Sequence, residues 1–531
     1  MLLAMLLSML PFGKAMAKTE AYAVYTEKNK TLTFYYDDKR GSRPKDDWWI
    51  YEDYLNGTDD VRPNVDKRVD YVEFDPSFAK CRPKTLRNLF SNVRPVEITG
   101  MEDYLNTSMV TDMNGMFAGC SALTDIDLSG FETSKVTDMS YMFNQCASLE
   151  SIDLSDFDLS NVTTMRSMFS KCESLKSIDL SDLDAPKLEN MRYMCYECKG
   201  LESVDLSDFD TPRLKDMSFM FMFCYALKNL NLRNFKTGTV TYMNHLFVDC
   251  TDLTSIDLSG FDTRNVTSMN SMFVRCGIES IDLSGFDTRN VTDMSGMFEN
   301  CNNLLSLDLS SFDTRSVTDM SLMFMDCQAL TSIELSGFDT RNVTDMAGMF
   351  DGCWALKNVD LSNFDTGNVE YMGSMFFDCR VLENLDLRNF NTGNVVDMST
   401  MFRDCWKLKS IDVSSFDTHN VRFMNSMFSG CSSLTELDLS SFDMRKVAKT
   451  NYMFYNSDKL KKIYVANGWQ LDSLDFENSK SMFYNCVSLV GGSGTTYNRN
   501  YRDDRTFAHV DGGPSDPGYL SRKLSPSVYA A

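Results

Sequence analysis

A 26-residue period filling the middle of the chain, a short alternating strand motif within each period and a cysteine returning at nearly every step predict an α/β solenoid of about 15 rungs. The pair Met-Phe marks the period at Met116-Phe117, Met142-Phe143 and Met168-Phe169. It continues, with Met194-Cys195 and Leu246-Phe247 as variants, to Met453-Phe454 and a degenerate Met482-Phe483. A cysteine follows three residues after nearly every pair, from Cys120 to Cys431, in steps of 26 broken once by a step of 25 between Cys276 and Cys301. Ser457 replaces the next cysteine, and Cys486 belongs to the last copy.

One unit reads V-T-D-M-S-x-M-F-x-x-C-x-x-L-x-S-I-D-L-S-x-F-D-T-x-N, and residues Val291 to Ser316 follow it closely. Ser-Ile-Asp-Leu-Ser alternates polar and apolar, the period of a short half-buried strand. Met294, Met297 and Phe298 stand at i, i+3 and i+4, which predicts one face of a short helix, with Thr292 as its N-cap and Asp293 at the positive end of its dipole. One strand and one short helix per rung is the plan of a leucine-rich-repeat solenoid. The L-x-x-I-x-L core matches that consensus, with Phe where it has Asn or Cys. The end rungs need caps to cover their core.

Four segments follow in order. Residues 1–17 read as a signal peptide: Leu2 to Phe12 is an apolar run, shorter than the roughly 20 residues that span a bilayer, and Ala15-Met16-Ala17 is a small-residue cleavage site. Residues 18–84 form a β-rich N-terminal cap, with a hairpin from Ala21 to Asp38 around Glu27-Lys28-Asn29-Lys30, a strand over Val72 to Phe78, and Trp48-Trp49 packed inside. Residues 85–486 are the solenoid, and 487–531 a short irregular C-terminal cap. Rungs about 4.8 Å apart would present a contact face on the order of 70 Å long.

Composition narrows the function. The chain has 531 residues, 52 basic and 75 acidic side chains and a formal charge of −23, which argues against a nucleic-acid partner. Only 3 His leave little material for histidine-based metal sites or acid–base chemistry. No Ser or Cys joins a His in a nucleophile motif, and no phosphate-binding glycine pattern occurs. Neither a cofactor nor a metal site is assigned.

In a stacked solenoid each consensus position becomes a ladder. Equivalent cysteines lie a strand spacing or more apart, too far for the 3.5–4.5 Å or so between disulfide Cβ atoms, so they read as a buried thiol ladder. The strand aspartates, among them Asp257, Asp282, Asp308, Asp360, Asp386 and Asp412, alternate with inward Ile and Leu and so face solvent. They form either a solvated face or a cation-bridged one, and the calcium-loop motifs of other repeat folds are absent. Arg264, Arg289, Arg315 and Arg341 follow Asp by two residues on four successive rungs, which predicts cross-rung ion pairs. Asn265, Asn290, Asn342, Asn368, Asn394 and Asn420 precede Val and predict an inward ladder on backbone groups. Trp354, Trp406 and Tyr225 occupy a variable position after the repeat cysteine, either as contact anchors or as packing.

The unit F-D-T-x-x-V-T-x-M-x-x-M-F-x-x-C-x-x-L-x-x-I-D-L-S, over about residues 85 to 486, resembles the repeat of the BspA-like leucine-rich-repeat surface proteins of bacteria. The flanks Leu32 to Asp37, Val72 to Phe78, Gly491 to Thr495 and Pro517 to Ser521 look like that family's terminal segments. The resemblance implies a secreted or cell-surface protein that adheres to host matrix or to other cells. The expected partner is a protein or cell-surface glycoprotein, bound without a transmembrane segment; a self-associating surface-layer module is the alternative. Candidate contact residues are Asp257, Asp282, Asp308, Asp360, Asp386, Asp412, Trp354 and Trp406.

Overall fold

A computed structural model describes residues 18–43, 48–58, 63–65, 68–181, 183–466, 469, 471, 474–501 and 505–523. The expected signal peptide, residues 1–17, lies outside the described residues. The chain divides into two compact units, Met1–Leu214 and Lys215–Ala531.

The first unit opens with a five-stranded sheet in the order β3-β1-β2-β4-β5. β1 (Glu20–Thr26) and β2 (Thr31–Asp37) form the expected hairpin, with Glu20 opposite Asp37 and Thr26 opposite Thr31. β3 (Trp48–Ile50) adds antiparallel to β1, placing Trp49 opposite Ala23. β4 (Tyr71–Phe74) and β5 (Glu97–Thr99) extend the sheet in parallel. The strand expected over Val72 to Phe78 stops at Phe74, because Asp75 accepts the Ser77 N–H at 2.9 Å and Pro76 opens a 3₁₀ turn. Phe34, Phe74 and Phe90 join the sheet to the first rung, and Phe90 stacks on Phe117 at 5.5 Å.

Successive rungs stack in parallel within each unit. In the first unit β6 (Ser177–Asp179) pairs with β7 (Ser203–Asp205), Ile178 level with Val204. In the second, β8 (Asn229–Asn231) precedes β9 (Ser306–Asp308) and β10 (Ser332–Glu334), which pair with Leu307 level with Ile333. β11 (Glu436–Leu439), β12 (Lys462–Val465) and β13 (Ser521–Arg522) close that unit. Each rung sends its Met, Met-Phe, Cys and Leu side chains into the core, and phenylalanines from neighbouring rungs stack, as in Phe273–Phe298 at 5.5 Å and Phe298–Phe324 at 5.9 Å.

The helical half of the rung is absent from the full repeats. Among the described residues the α-helices are α1 (Glu52–Leu55), α2 (Met101–Tyr104) and α3 (Phe476–Ser479), and only α3, a single turn in the degenerate last copy, overlaps the expected repeat position. The segment after Thr292 is instead a ladder of turns. Met294, Gly296, Phe298 and Asn300 donate their N–H groups to Asp319, Ser321, Met323 and Met325 of the next rung, at 3.1, 2.8, 2.9 and 2.6 Å. The intervening N–H groups of Met297, Glu299 and Cys301 turn back to Met294, Gly296 and Phe298. Every N–H is satisfied, but half of the bonds tie rung to rung where a helix would close on itself. Gly296 (φ 58°) and Asn300 (φ 60°) take the left-handed conformation at the third position of a turn, as a type II turn requires. Thr292 is no N-cap: its hydroxyl donates to the Thr267 carbonyl of the preceding rung at 3.2 Å. Two left-handed residues per turn ladder still bring i, i+3 and i+4 to one face, which is why the apolar spacing imitates a helix.

Candidate contact surface

The strand aspartates are exposed, and their carboxylates have a local task. Asp257, Asp282, Asp308, Asp360 and Asp412 each accept the backbone N–H of the serine two residues on, at 2.9–3.0 Å, closing the turn that ends the strand. Hydrogen bonds from that serine hold all five carboxyls below the ordinary aspartate value. At Asp386 the serine is replaced by Arg388, whose guanidinium grips the carboxylate through both nitrogens at 2.9 and 2.6 Å and lowers it to about 2. The neighbouring aspartate is the smallest influence on Asp282, so turn closure outweighs repulsion along the ladder.

Two stripes differ from expectation. The Asp-Arg pairs close within a rung: Arg264 to Asp262 and Arg289 to Asp287 at 2.7 Å, Arg315 to Asp313 at 2.5 Å, Arg341 to Asp339 at 2.8 Å. A two-residue separation around the turn lets the guanidinium reach its own carboxylate without crossing to the next rung. The Asn ladder exists but is exposed; Asn265, Asn290 and Asn342 donate to Gly238, Arg264 and Arg315 carbonyls of the preceding rung at 2.7–2.8 Å.

The inward polar ladder belongs to threonine. Thr263, Thr288, Thr314 and Thr340 are at most 1 % exposed. Each hydroxyl donates to a carbonyl of the next rung and accepts that residue's N–H; for Thr314 and Asp339 the distances are 2.9 and 2.8 Å. The recurring Thr of F-D-T was the available signal. The cysteines are free and buried, and each thiol along most of the ladder donates to the phenylalanine carbonyl of the preceding rung, as Cys301 does to Phe273 at 3.0 Å. Ser457 makes the same bond to Phe428 at 2.7 Å. Burial pushes the Cys327 thiol up to about 12.

The position after the repeat cysteine breaks the monotony. Trp354 is half-buried and its indole Nε1 donates to Asp378 at 2.8 Å. Arg380 grips Asp378 through two nitrogens at 2.9 and 2.8 Å. Its guanidinium carbon lies 3.8 Å from the Trp354 ring centroid and 5.0 Å from that of Trp406. Trp406 is 44 % exposed. Thus the structure brings Trp354 and Trp406 together through Arg380, a residue the sequence reading missed because Arg is ordinary at a variable surface position. Nearby Asp351 is 9 % exposed, and burial with the charges of Asp326 and Asp378 raises it to about 7. Among the described residues no cluster of three or more His, Cys, Asp or Glu could hold a metal ion, and no helix is long and apolar enough to cross a membrane.

Four overlapping stretches, 84–204, 190–306, 275–384 and 372–492, match the family described as "Mycoplasma protein of unknown function, DUF285". The chain belongs to the DUF285 family. The family model thus spans the repeats in both units. Solved structures similar to the DUF285 chain include a leucine-rich repeat protein from Bacteroides ovatus (16 % identity, 84 % of this chain and 98 % of that one, TM-score 0.38). A leucine rich cell surface protein from Faecalibacterium prausnitzii is similar at 17 % identity (77 % and 94 %, TM-score 0.32). A leucine-rich repeat protein from T. pallidum is similar at 18 % (44 % and 86 %, TM-score 0.26). No curated protein matches the chain.

Proposed function

We propose that this chain is a non-enzymatic binding protein of the secreted or cell-surface kind, an adhesin that contacts host matrix protein or other cells through exposed ladder positions. The observation that carries the reading is where the rungs differ. The inward Met, Phe, Cys, Leu and Thr positions repeat almost unchanged, while chemical variety gathers at outer positions such as the half-buried Trp354 and Arg380 and the exposed Trp406. Rigid stacked backbone with variable outward side chains suits recognition of a macromolecule. The apolar segment Leu2 to Phe12 with Ala15-Met16-Ala17 supports export, and the BspA-like resemblance of the repeat supports adhesion.

Saturable solid-phase binding of the full chain to matrix glycoproteins or to intact host cells is the expected result. Absence of saturable binding to all of them, with concentration-dependent oligomers in light scattering, would replace the adhesin by a self-associating surface-layer module. Charge reversal at Asp257, Asp282 and Asp308 is expected to change the salt dependence of binding; unchanged binding would assign contact to the Trp354–Trp406 column.

A further inference from the structure

The position after the repeat cysteine carries, on five successive rungs, Trp354, Arg380, Trp406, Ser432 and Asp458. On its Trp354 side, Trp406 meets Arg380, a guanidinium held flat by the carboxylate of Asp378. On the other side the next rung offers only Ser432, and Trp406 makes no further ring contact among the described residues. The rung of Ser432 also lacks the counterpart of Asp378, since Gly430 stands there with φ 71°. The Asp404 carboxylate of the Trp406 rung leans into that space: a Cβ built on Gly430 would lie 2.1 Å from Asp404 Oδ1. The Arg403 contact uses the other oxygen, Oδ2, at 3.2 Å.

From this juxtaposition we infer that the slot above Ser432, between the open face of Trp406 and the carboxylate of Asp404, takes an arginine side chain from a basic segment of a partner protein. The chain itself supplies the template. Trp354, Asp378 and Arg380 show how a planar guanidinium fits at the level of one rung, between tryptophans two rungs apart, with an indole on its face and a carboxylate on its edge. At Ser432 the indole and a carboxylate are present and the guanidinium is missing. A guanidinium suits this slot better than an ammonium, because it stacks flat and bonds a carboxylate through two nitrogens. The formal charge of −23 favours a basic partner and speeds its approach. The inference rests on the binding-protein reading and names the chemistry of the partner at one site.

The test titrates the full chain with an unstructured glycine–serine peptide bearing three arginines, following indole fluorescence and calorimetry, beside counterparts bearing lysine or citrulline. The arginine peptide is expected to bind at least threefold more tightly than the lysine peptide, and the citrulline peptide to show no binding. Trp406→Ala is expected to weaken the arginine peptide at least tenfold, and so is Ser432→Arg, which fills the slot from within as Arg380 does one slot earlier. Trp406 is exposed, so its variant reports on the slot even if Ser432→Arg melts early. Equal binding of arginine and lysine peptides, equal binding by Trp406→Ala, or no binding at millimolar peptide would overturn the inference, as would stacking of a neutral oligosaccharide in its place. Matrix binding measured on the same variants separates the two claims. Matrix binding without peptide binding removes the slot and leaves the adhesin; peptide binding without matrix binding does the reverse.

Discussion

Asp351 and the strand aspartates are the same residue type put to opposite thermodynamic use. Asp351 is buried beside Asp326 and Asp378, and its carboxyl rises from 3.8 to about 7. The folded chain therefore holds that proton more tightly than the unfolded one, and Asp351 disfavours folding increasingly as pH climbs from 3.8 towards 7. Asp351→Asn is expected to raise the melting temperature at pH 7.5, by a free energy of about 2–4 kcal/mol, and to leave it unchanged at pH 4; equal melting of variant and parent at both pH values would count against the burial argument. At Thr314 the expected sign reverses. Thr314→Val strips the partner from the Asp339 N–H and carbonyl, costing about 1–3 kcal/mol, whereas Thr314→Ser retains both bonds; denaturant unfolding of the two variants separates hydroxyl from methyl. Cysteine, phenylalanine and the strand aspartates were legible in the sequence because their positions recur, and recurrence in a stack means equivalence. Direction was less legible. Asn265 and Thr263 both recur along their stretch, with Ser316 once in place of Asn, yet only the hydroxyl is short enough to bond both backbone groups of the next rung from inside the core.

At the scale of one rung, the turn ladder explains residues that a helix would not. The position before the repeat cysteine is left-handed in every full rung described, and glycine there follows an Asn or Asp on the rung before: Asp326 leans over Gly352, where a Cβ would lie 2.3 Å from its Oδ1. In the one short rung the glycine meets backbone instead of a side chain. A Cβ on Gly277 would lie 2.1 Å from the Thr251 carbonyl oxygen, and the shortened path moves the Cys276 thiol from a phenylalanine carbonyl to that of Leu253, 3.9 Å away. Gly277→Ala is expected to destabilise the second unit by about 1–3 kcal/mol through overpacking against backbone, while Gly260→Ala, with open space around it, should be nearly silent; hydrogen exchange of the flanking rungs would read the difference. Strand and turn ladder were both visible as patterns, but only one was assigned its conformation correctly. Alternation has a single common solution, whereas i, i+3, i+4 spacing has two. The left-handed signal, Gly, Asn, Asp and Ser crowding two fixed positions, was overlooked.

Over the whole chain, repetition turns small local effects into collective ones. Carboxyls held below 3.8, down to about 2 at Asp386 and Asp443, favour the folded state above pH 3.8 and lose that contribution as pH falls through their folded values. Acid unfolding is therefore expected to set in below pH 4 and to deepen towards pH 2; full stability at pH 2 would show that the aspartate turns contribute little. The thiols give a second collective readout. With burial raising them, to about 12 at Cys327 and Cys276, the native protein at pH 8 should resist alkylation, and denaturation should release all 16. Rapid native labelling would contradict the ladder. The ends of the repeats are closed by edge-on rings, Phe34 against Phe90 at the first rung and Tyr519 against Phe483 at the last. The C-terminal closure is secured by Asp511, which is 5 % exposed and accepts the Ser493 and Thr495 N–H groups at 2.8 and 2.9 Å.

The amino-acid sequence by itself determined the rung, its period, its apolar contents and the thiol and aspartate ladders, because stacking identical units leaves few ways to bury identical side chains. Tertiary structure alone decided what crosses from one rung to the next. The turn ladder, the threonine bonds and the guanidinium set between Trp354 and Trp406 join residues about 26 positions apart. Their geometry comes from register between rungs, which a period announces and only the packed backbone specifies.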